Sequence, residues 1–203
     1  MTFLKSFGYI LFFLFPVLCF ANDIALTFDD APLGDQKIYG GKARTEKIIG
    51  VLKAHQIRTV FFVNPRGFTD PERKERIALY SKAGHFIANH TDTHPSLDKI
   101  PVDDYISEID RADSLIQEFP TYTKWFRYPF LHEGPKLAIR DRVRSHLKKM
   151  GYSNGYVTVD NYDYFINDLV QTALGKNQKV HLDRACEMLV DIMLDGIQYY
   201  EAI

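Results

Sequence analysis

The stretch GHFIANHTDTHPSL, residues 84–97, decides how this chain is read. Between Gly84 and the polar HTDTH lies a short apolar run with the length and composition of a buried strand. It ends on His90 and His94, four residues apart. That spacing lets two imidazoles face one metal ion. It is more often met in loops where one histidine caps a turn and the other is solvated, so the spacing alone is a weak signal.

Working outward, the same pattern repeats. DIALTFDD (Asp23 to Asp30) is an apolar run that stops in two acids, and RTVFFVNP (Arg58 to Pro65) is a second, stopped by Asn-Pro. KWFRYPF (Lys124 to Phe130) reads as a fourth strand and GYVTVDNYDY (Gly155 to Tyr164) as a fifth. Between them fall segments of helical periodicity: Ala43 to His55, Pro71 to Ala83, Pro101 to Phe119 and Pro135 to Met150, with a last one from Leu182 to Tyr200. Alternating strands and helices predict an α/β fold of parallel strands and crossover helices, as a barrel or an open sheet. In such folds the carboxyl ends of the strands share one face. Asp29–Asp30, His90–His94, Arg127 and Asp160–Asp163 each follow a strand and are therefore expected to converge.

Bulk properties narrow the classes. The chain has 203 residues, 46% hydrophobic and 25% charged, enough for one sizeable core. A formal net charge of -1 gives no electrostatic case for nucleic acid. Residues 1–21, MTFLKSFGYILFFLFPVLCFA, have the pattern of a secretory signal peptide cleaved near Ala21, and the apolar run is short for a membrane span. The expected product is periplasmic or secreted, beginning near Asn22, with no stable membrane span. Cys186 would then be the one remaining cysteine, read as a small buried residue in an apolar helical stripe.

His90, His94 and one carboxylate form a donor set suited to zinc, with a fourth position left for water. Such a metal acidifies its water and polarises a carbonyl. Adjacent acids point in different directions, so one can hold metal while its neighbour takes a proton.

TFDD after the first strand, HTDTH after the third and RYP after the fourth, with ALTFDDAP, TVFFVNP, GHFIANHTDTH and FRYPF around them, resemble the polysaccharide deacetylases with a NodB-homology domain, carbohydrate esterase family 4. The resemblance runs from Ile24 to Tyr164. It implies an irregular (β/α) barrel over residues 22–203 and hydrolysis of an N- or O-acetyl group on a cell-wall or extracellular polysaccharide. Asp29 would be the catalytic base, with Asp30, His90 and His94 the ligands of a divalent metal. Zn2+ is the first expectation, and Co2+ or another divalent ion would fit the same donors. Arg127 would orient the base, Thr91 brace the loop, and Tyr128, Pro129 and Tyr164 wall the substrate groove. A backbone N–H near Tyr128 would hold the oxyanion. Asp163 would match the acid that tunes a general-acid histidine.

The sequence departs from the family pattern in places. Ala31 stands where the first motif has glycine, and Leu131 where the third has it. The fourth motif ends in Tyr164 rather than tryptophan. No apolar strand ending in histidine follows Tyr200. The barrel is accordingly expected to lack its last strand and the general acid, leaving an open edge that could favour association. Three readings follow: a deacetylase with its end lost and weak turnover; an active enzyme using His132 or His181 as acid; or a non-catalytic exported glycan-binding or assembly protein. His132 and Glu133 are read as substrate contacts or as structural. The sugar is open among chitin oligomers, peptidoglycan, exported polysaccharide and acetylated xylan.

Overall fold

The computed structural model describes residues 24–202; the expected signal segment, residues 1–21, lies outside them. Five strands, β1 (Thr27–Ala31), β2 (Val60–Val63), β3 (Phe86–Asn89), β4 (Tyr122–Phe126) and β5 (Ser153–Asn154), form one sheet in sequential order. All four pairings are parallel. Helices α1 (Gly41–Ala54), α2 (Pro71–Lys82), α3 (Val102–Ile116) and α4 (Leu137–Lys149) are the crossovers, followed by α5 (Asp163–Gly175) and α6 (Leu182–Glu201). A sheet wound in one direction is the topology of a barrel, and this one is not closed: β1 and β5 are its edges.

Local chemistry explains the boundaries. Asp70 caps α2 by accepting from the Glu72 N–H at 3.0 Å, and Pro71 fills the first turn where no donor is needed. Gly84 ends that segment at φ +90, a left-handed turn that leads directly into β3. Asp103 and Asp104 sit in the first turn of α3, where they complement the helix dipole.

Alternation along the strands divides the core. Phe61, Val63 and Ile87 face Leu52, Ile77, Tyr80 and Ile116 of the helices. Val60, Phe62 and Ala88 point to the opposite face and form a smaller cluster. A third group, including Tyr105, Ile109, Phe126, Val143 and Leu147, fills the space between α3, α4 and β4. Each fully buried aliphatic side chain contributes about 1.5–3 kcal/mol by removal from water.

Two expectations about the end of the chain are corrected. The fifth strand is only Ser153–Asn154, not Gly155 to Tyr164. At Gly155 the chain crosses Phe62 so closely that an added Cβ would lie 2.5 Å from that ring. Its N–H bonds Phe126 O at 2.7 Å, and its carbonyl accepts from Arg127 Nε at 2.8 Å. The following residues then pack elsewhere: Val159 sits where a Cβ on Gly196 of α6 would be 2.7 Å away. The alternation in YVTV thus serves a loop-to-helix contact rather than a strand ladder. Cys186 is exposed, not buried, because no residue of α5 or α6 is fully buried. No helix among the described residues is long and apolar enough to cross a membrane.

Candidate active site

The carboxyl ends of β1, β3 and β4 bring Asp29, Asp30, His90, His94 and Arg127 together. Asp30 has φ 58, so the chain turns sharply between the two acids and aims them at different partners. This positive φ falls on Asp30 and not on Ala31, which is why alanine is accommodated where glycine was expected.

His90 leaves β3 fully enclosed, its N–H on Val63 O at 3.1 Å. Its Nδ1 lies 2.8 Å from the Arg127 carbonyl, which can only accept, so Nδ1 carries the proton and Nε2 is left with its lone pair. Burial pushes the imidazole down to about 4, against the opposing pull of Asp30, so it is neutral at physiological pH. His90 Nε2 is 3.8 Å from Asp30 Oδ1, and His94 Nε2 is 3.3 Å from the same oxygen. The three donor atoms lie within 4.8 Å of one another. Neutral imidazole, a second imidazole and one carboxylate at these separations fit a tetrahedral ion with bonds of about 2.0–2.2 Å.

The HTDTH segment is a loop, not a helix. Thr91 (φ 64) and His94 (φ 59) both adopt the left-handed region, which folds the second histidine back over the first. Thr91 Oγ1 accepts from the His94 N–H at 3.2 Å, the bracing expected of it. Thr93 is tied to Glu108 of α3 through its N–H at 2.7 Å.

Asp29 meets Arg127. The buried guanidinium donates to Asp29 Oδ1 at 2.5 Å and to Thr27 Oγ1 at 2.8 Å, and it lies 3.9 Å over the Phe62 ring. Asp29 Oδ2 is 4.0 Å from His90 Nε2, at the edge of the donor cluster. Burial pushes the Asp29 carboxyl above its ordinary range; Arg127 opposes this without cancelling it. A carboxylate so placed is a stronger base than a solvated one.

The other expected residues are not part of the donor cluster. Tyr128 is buried, its ring 4.9 Å from Phe126 and 6.4 Å from Tyr105, and it lines a cavity of about 260 Å³ together with Arg144, Tyr152 and Tyr156; Pro129 is buried as well. The side chain facing the site is Phe130, whose ring centre is 4.6 Å from His94. Leu131, at the expected glycine position, has φ 56, so the left-handed geometry persists with a leucine in it. Asp163 contacts no histidine among the described residues. It starts α5, accepting from the Tyr164 N–H at 2.8 Å, and burial with the neighbouring Asp160 and Asp29 charges raises its carboxyl. Tyr164 is exposed, 6.3 Å from Tyr162. His132 Nδ1 is 3.3 Å from Asp98, and Glu133 is bonded by Arg144 Nε at 2.7 Å, both structural pairings.

Two residues were missed. Asn64 Nδ2 donates to the His90 carbonyl at 2.6 Å and to Thr91 O at 3.2 Å, while its N–H bonds Ala31 O at 3.0 Å. Asn89 Oδ1 accepts from the Thr91 N–H at 2.9 Å, and its amide donates to Ile109 O at 3.0 Å. Their signal is an asparagine closing each apolar run, in VFFVN and FIAN.

The family model described as polysaccharide deacetylase matches residues 21–155. A peptidoglycan-N-acetylglucosamine deacetylase of Bacillus cereus is 35% identical over 112 residues, covering 53% of this chain and 36% of its own. A peptidoglycan-N-acetylmuramic acid deacetylase of Bacillus subtilis is 30% identical over 145 residues, 71% of this chain and 50% of its own. The chain thus spans half or less of the length of these curated relatives. A family 4 carbohydrate esterase from Streptomyces lividans, solved in complex with acetate, superimposes with a TM-score of 0.54 at 27% identity, over 70% of this chain and 65% of that one. With the match spanning all five strands of the described sheet and all five clustered residues, the chain belongs to the polysaccharide deacetylase family.

Proposed function

We propose that this chain hydrolyses acetyl groups on an acetylated polysaccharide, using a divalent metal, zinc first among those its donors suit. Asp30, His90 and His94 would hold the ion. The observation that carries this reading is the fixed tautomer of His90: its proton is committed to the Arg127 carbonyl, so a bare Nε2 faces Asp30 and His94. When bound there, the metal would supply Lewis-acid polarisation of the acetyl carbonyl and acidify a water.

The protein's own part follows from placement. Asp29 takes the proton of the attacking water, and its raised carboxyl suits it to hold that proton. Arg127 fixes the Asp29 carboxylate, being itself locked by Thr27, Gly155 and the Phe62 ring. Phe130 gives the site an apolar wall beside His94. The amino-terminal pattern, residues 1–21, supports export toward such a substrate.

The test begins with metal content. Purified chain should carry about one divalent ion, lost in the His90→Ala, His94→Ala double variant. Metal-loaded chain should release acetate from at least one acetylated glycan of a panel. Asp29→Asn should keep its metal and lose about 10²–10⁴-fold in rate. A chain that folds but takes up neither zinc nor any other divalent ion would end this reading.

A further inference from the structure

Beside the donor cluster lies a cavity of about 210 Å³, whose lining includes Asp30, His94, Asn64, Arg66, Arg73 and Gly34. Its charge is lopsided. The single acid is Asp30, the carboxylate assigned to the metal, and two arginines line the same space.

The four arginines near this cavity are used differently. Arg44 Nη1 donates to Leu33 O at 3.1 Å and Gly34 O at 2.8 Å, and Arg76 Nη1 to Leu33 O at 2.8 Å. These two fix the loop that forms one wall. Arg73 has only a loose pairing, Nε to Asp70 Oδ2 at 3.7 Å. Its guanidinium reaches from α2 toward that wall, with Nη2 3.4 Å from where a Gly34 Cβ would stand. Arg66 is exposed and pairs with no carboxylate among the described residues; its backbone N–H bonds Asp92 O at 3.0 Å, which fixes where the side chain starts. Guanidinium forks are shaped for carboxylates, and an ion-assisted hydrogen bond is about twice as strong as a neutral one.

We infer that the sugar chain presented to Asp30 and His94 carries a carboxylate, received by Arg66 and Arg73, so that the substrate is an acidic acetylated glycan. The inference rests on the deacetylase reading above and adds the substrate class. A lactyl ether on an amino sugar and a neighbouring uronic acid both supply this group.

The test compares acetate release by the metal-loaded chain from three oligosaccharides of equal length. One is a neutral N-acetylglucosamine oligomer. The second alternates N-acetylglucosamine with N-acetylmuramic acid bearing a free lactyl carboxylate, and the third alternates N-acetylglucosamine with glucuronate. At least one acidic oligomer should exceed the neutral one in kcat/KM by about tenfold, and the winner names the source of the carboxylate. That preference should shrink in about 0.5 M salt. It should collapse in Arg66→Gln, Arg73→Gln protein whose circular dichroism and metal content match the parent, and be partly kept by the lysine pair. Equal turnover of neutral and acidic oligomers, or a preference that survives the double substitution, would overturn the inference and leave the deacetylase reading standing. Metal-loaded chain that releases acetate from none of the three but does so from a neutral O-acetylated xylan would overturn the inference alone, and release from none of the four would remove both.

Discussion

The body of the molecule, from β1 to β5, and the two helices after it were built from similar raw material with different results. Helix α3 and helix α6 both carry a strong apolar stripe. In α3 that stripe is used: Tyr105, Ile109, Ala112 and Ile116 are completely enclosed. In α6, Met188, Val190 and Leu194 remain about half exposed, and α5 leaves Phe165 and Leu169 likewise. The difference lies in the partners. Helix α3 is pressed between β3, β4 and α4, and α6 meets chiefly α5 and the loop at Val159. An amphipathic pattern declares which face is to be buried, and a second surface is needed to bury it.

The acid pairs at either end of the sheet make the same point on a smaller scale. Asp29 and Asp30 have a buried arginine and two histidines to address. Asp160 and Asp163 mainly satisfy their own turn, Asp160 Oδ1 taking the Tyr162 N–H at 3.3 Å. Two polar clusters that look alike in sequence thus differ in partners: one gathers an arginine and two histidines, while the other begins α5 close enough to Asp29 for the charges to oppose one another's ionisation.

Substitutions can break or sharpen this contrast. Ile109→Ala should have the largest effect on stability, about 2–5 kcal/mol by urea denaturation, because it opens a cavity at a point that nothing else can fill. Gly155→Ala comes next. Its Cβ would force Phe62 and the Arg127 stacked on it to move, costing about 1–3 kcal/mol. It should also lower acetate release more than its stability loss explains.

A smaller, pH-dependent effect is expected at Asp113. Burial works against its ionisation, yet hydrogen bonds from Lys124 at 2.6 Å and from the Tyr122 and Tyr152 hydroxyls hold its carboxyl below the ordinary value. A lowered carboxyl contributes stability that is complete above the ordinary carboxylate pKa, near 3.9, and is lost as pH falls below it toward the folded-state value. Asp113→Asn should flatten that acid limb of the stability curve; an unchanged limb would contradict the pairing. Smallest of all, Leu194→Ala on α6 should change stability by no more than about 0.5 kcal/mol. A loss like that of Ile109 would mean that α6 is packed in solution.

The sequence by itself determined the parallel α/β class, the crossover helices α1 to α4, and the residues of the donor cluster. It did so because strand ends in such folds share a face, and because Asp-Asp, His-x-x-x-His and Arg each closed a strand. Local periodicity also fixed α6 to within a residue. Tertiary structure alone decided the rest. Whether YVTV made a ladder depended on where Gly155 crosses Phe62, a contact 93 residues apart in the chain. Which aromatic faces the histidines, Phe130 and not Tyr128, depended on the left-handed turn at Phe130 and Leu131. The tautomer of His90 was set by a carbonyl 37 residues away. Each of these is a choice between conformations that local preference leaves close in energy, so long-range packing makes it.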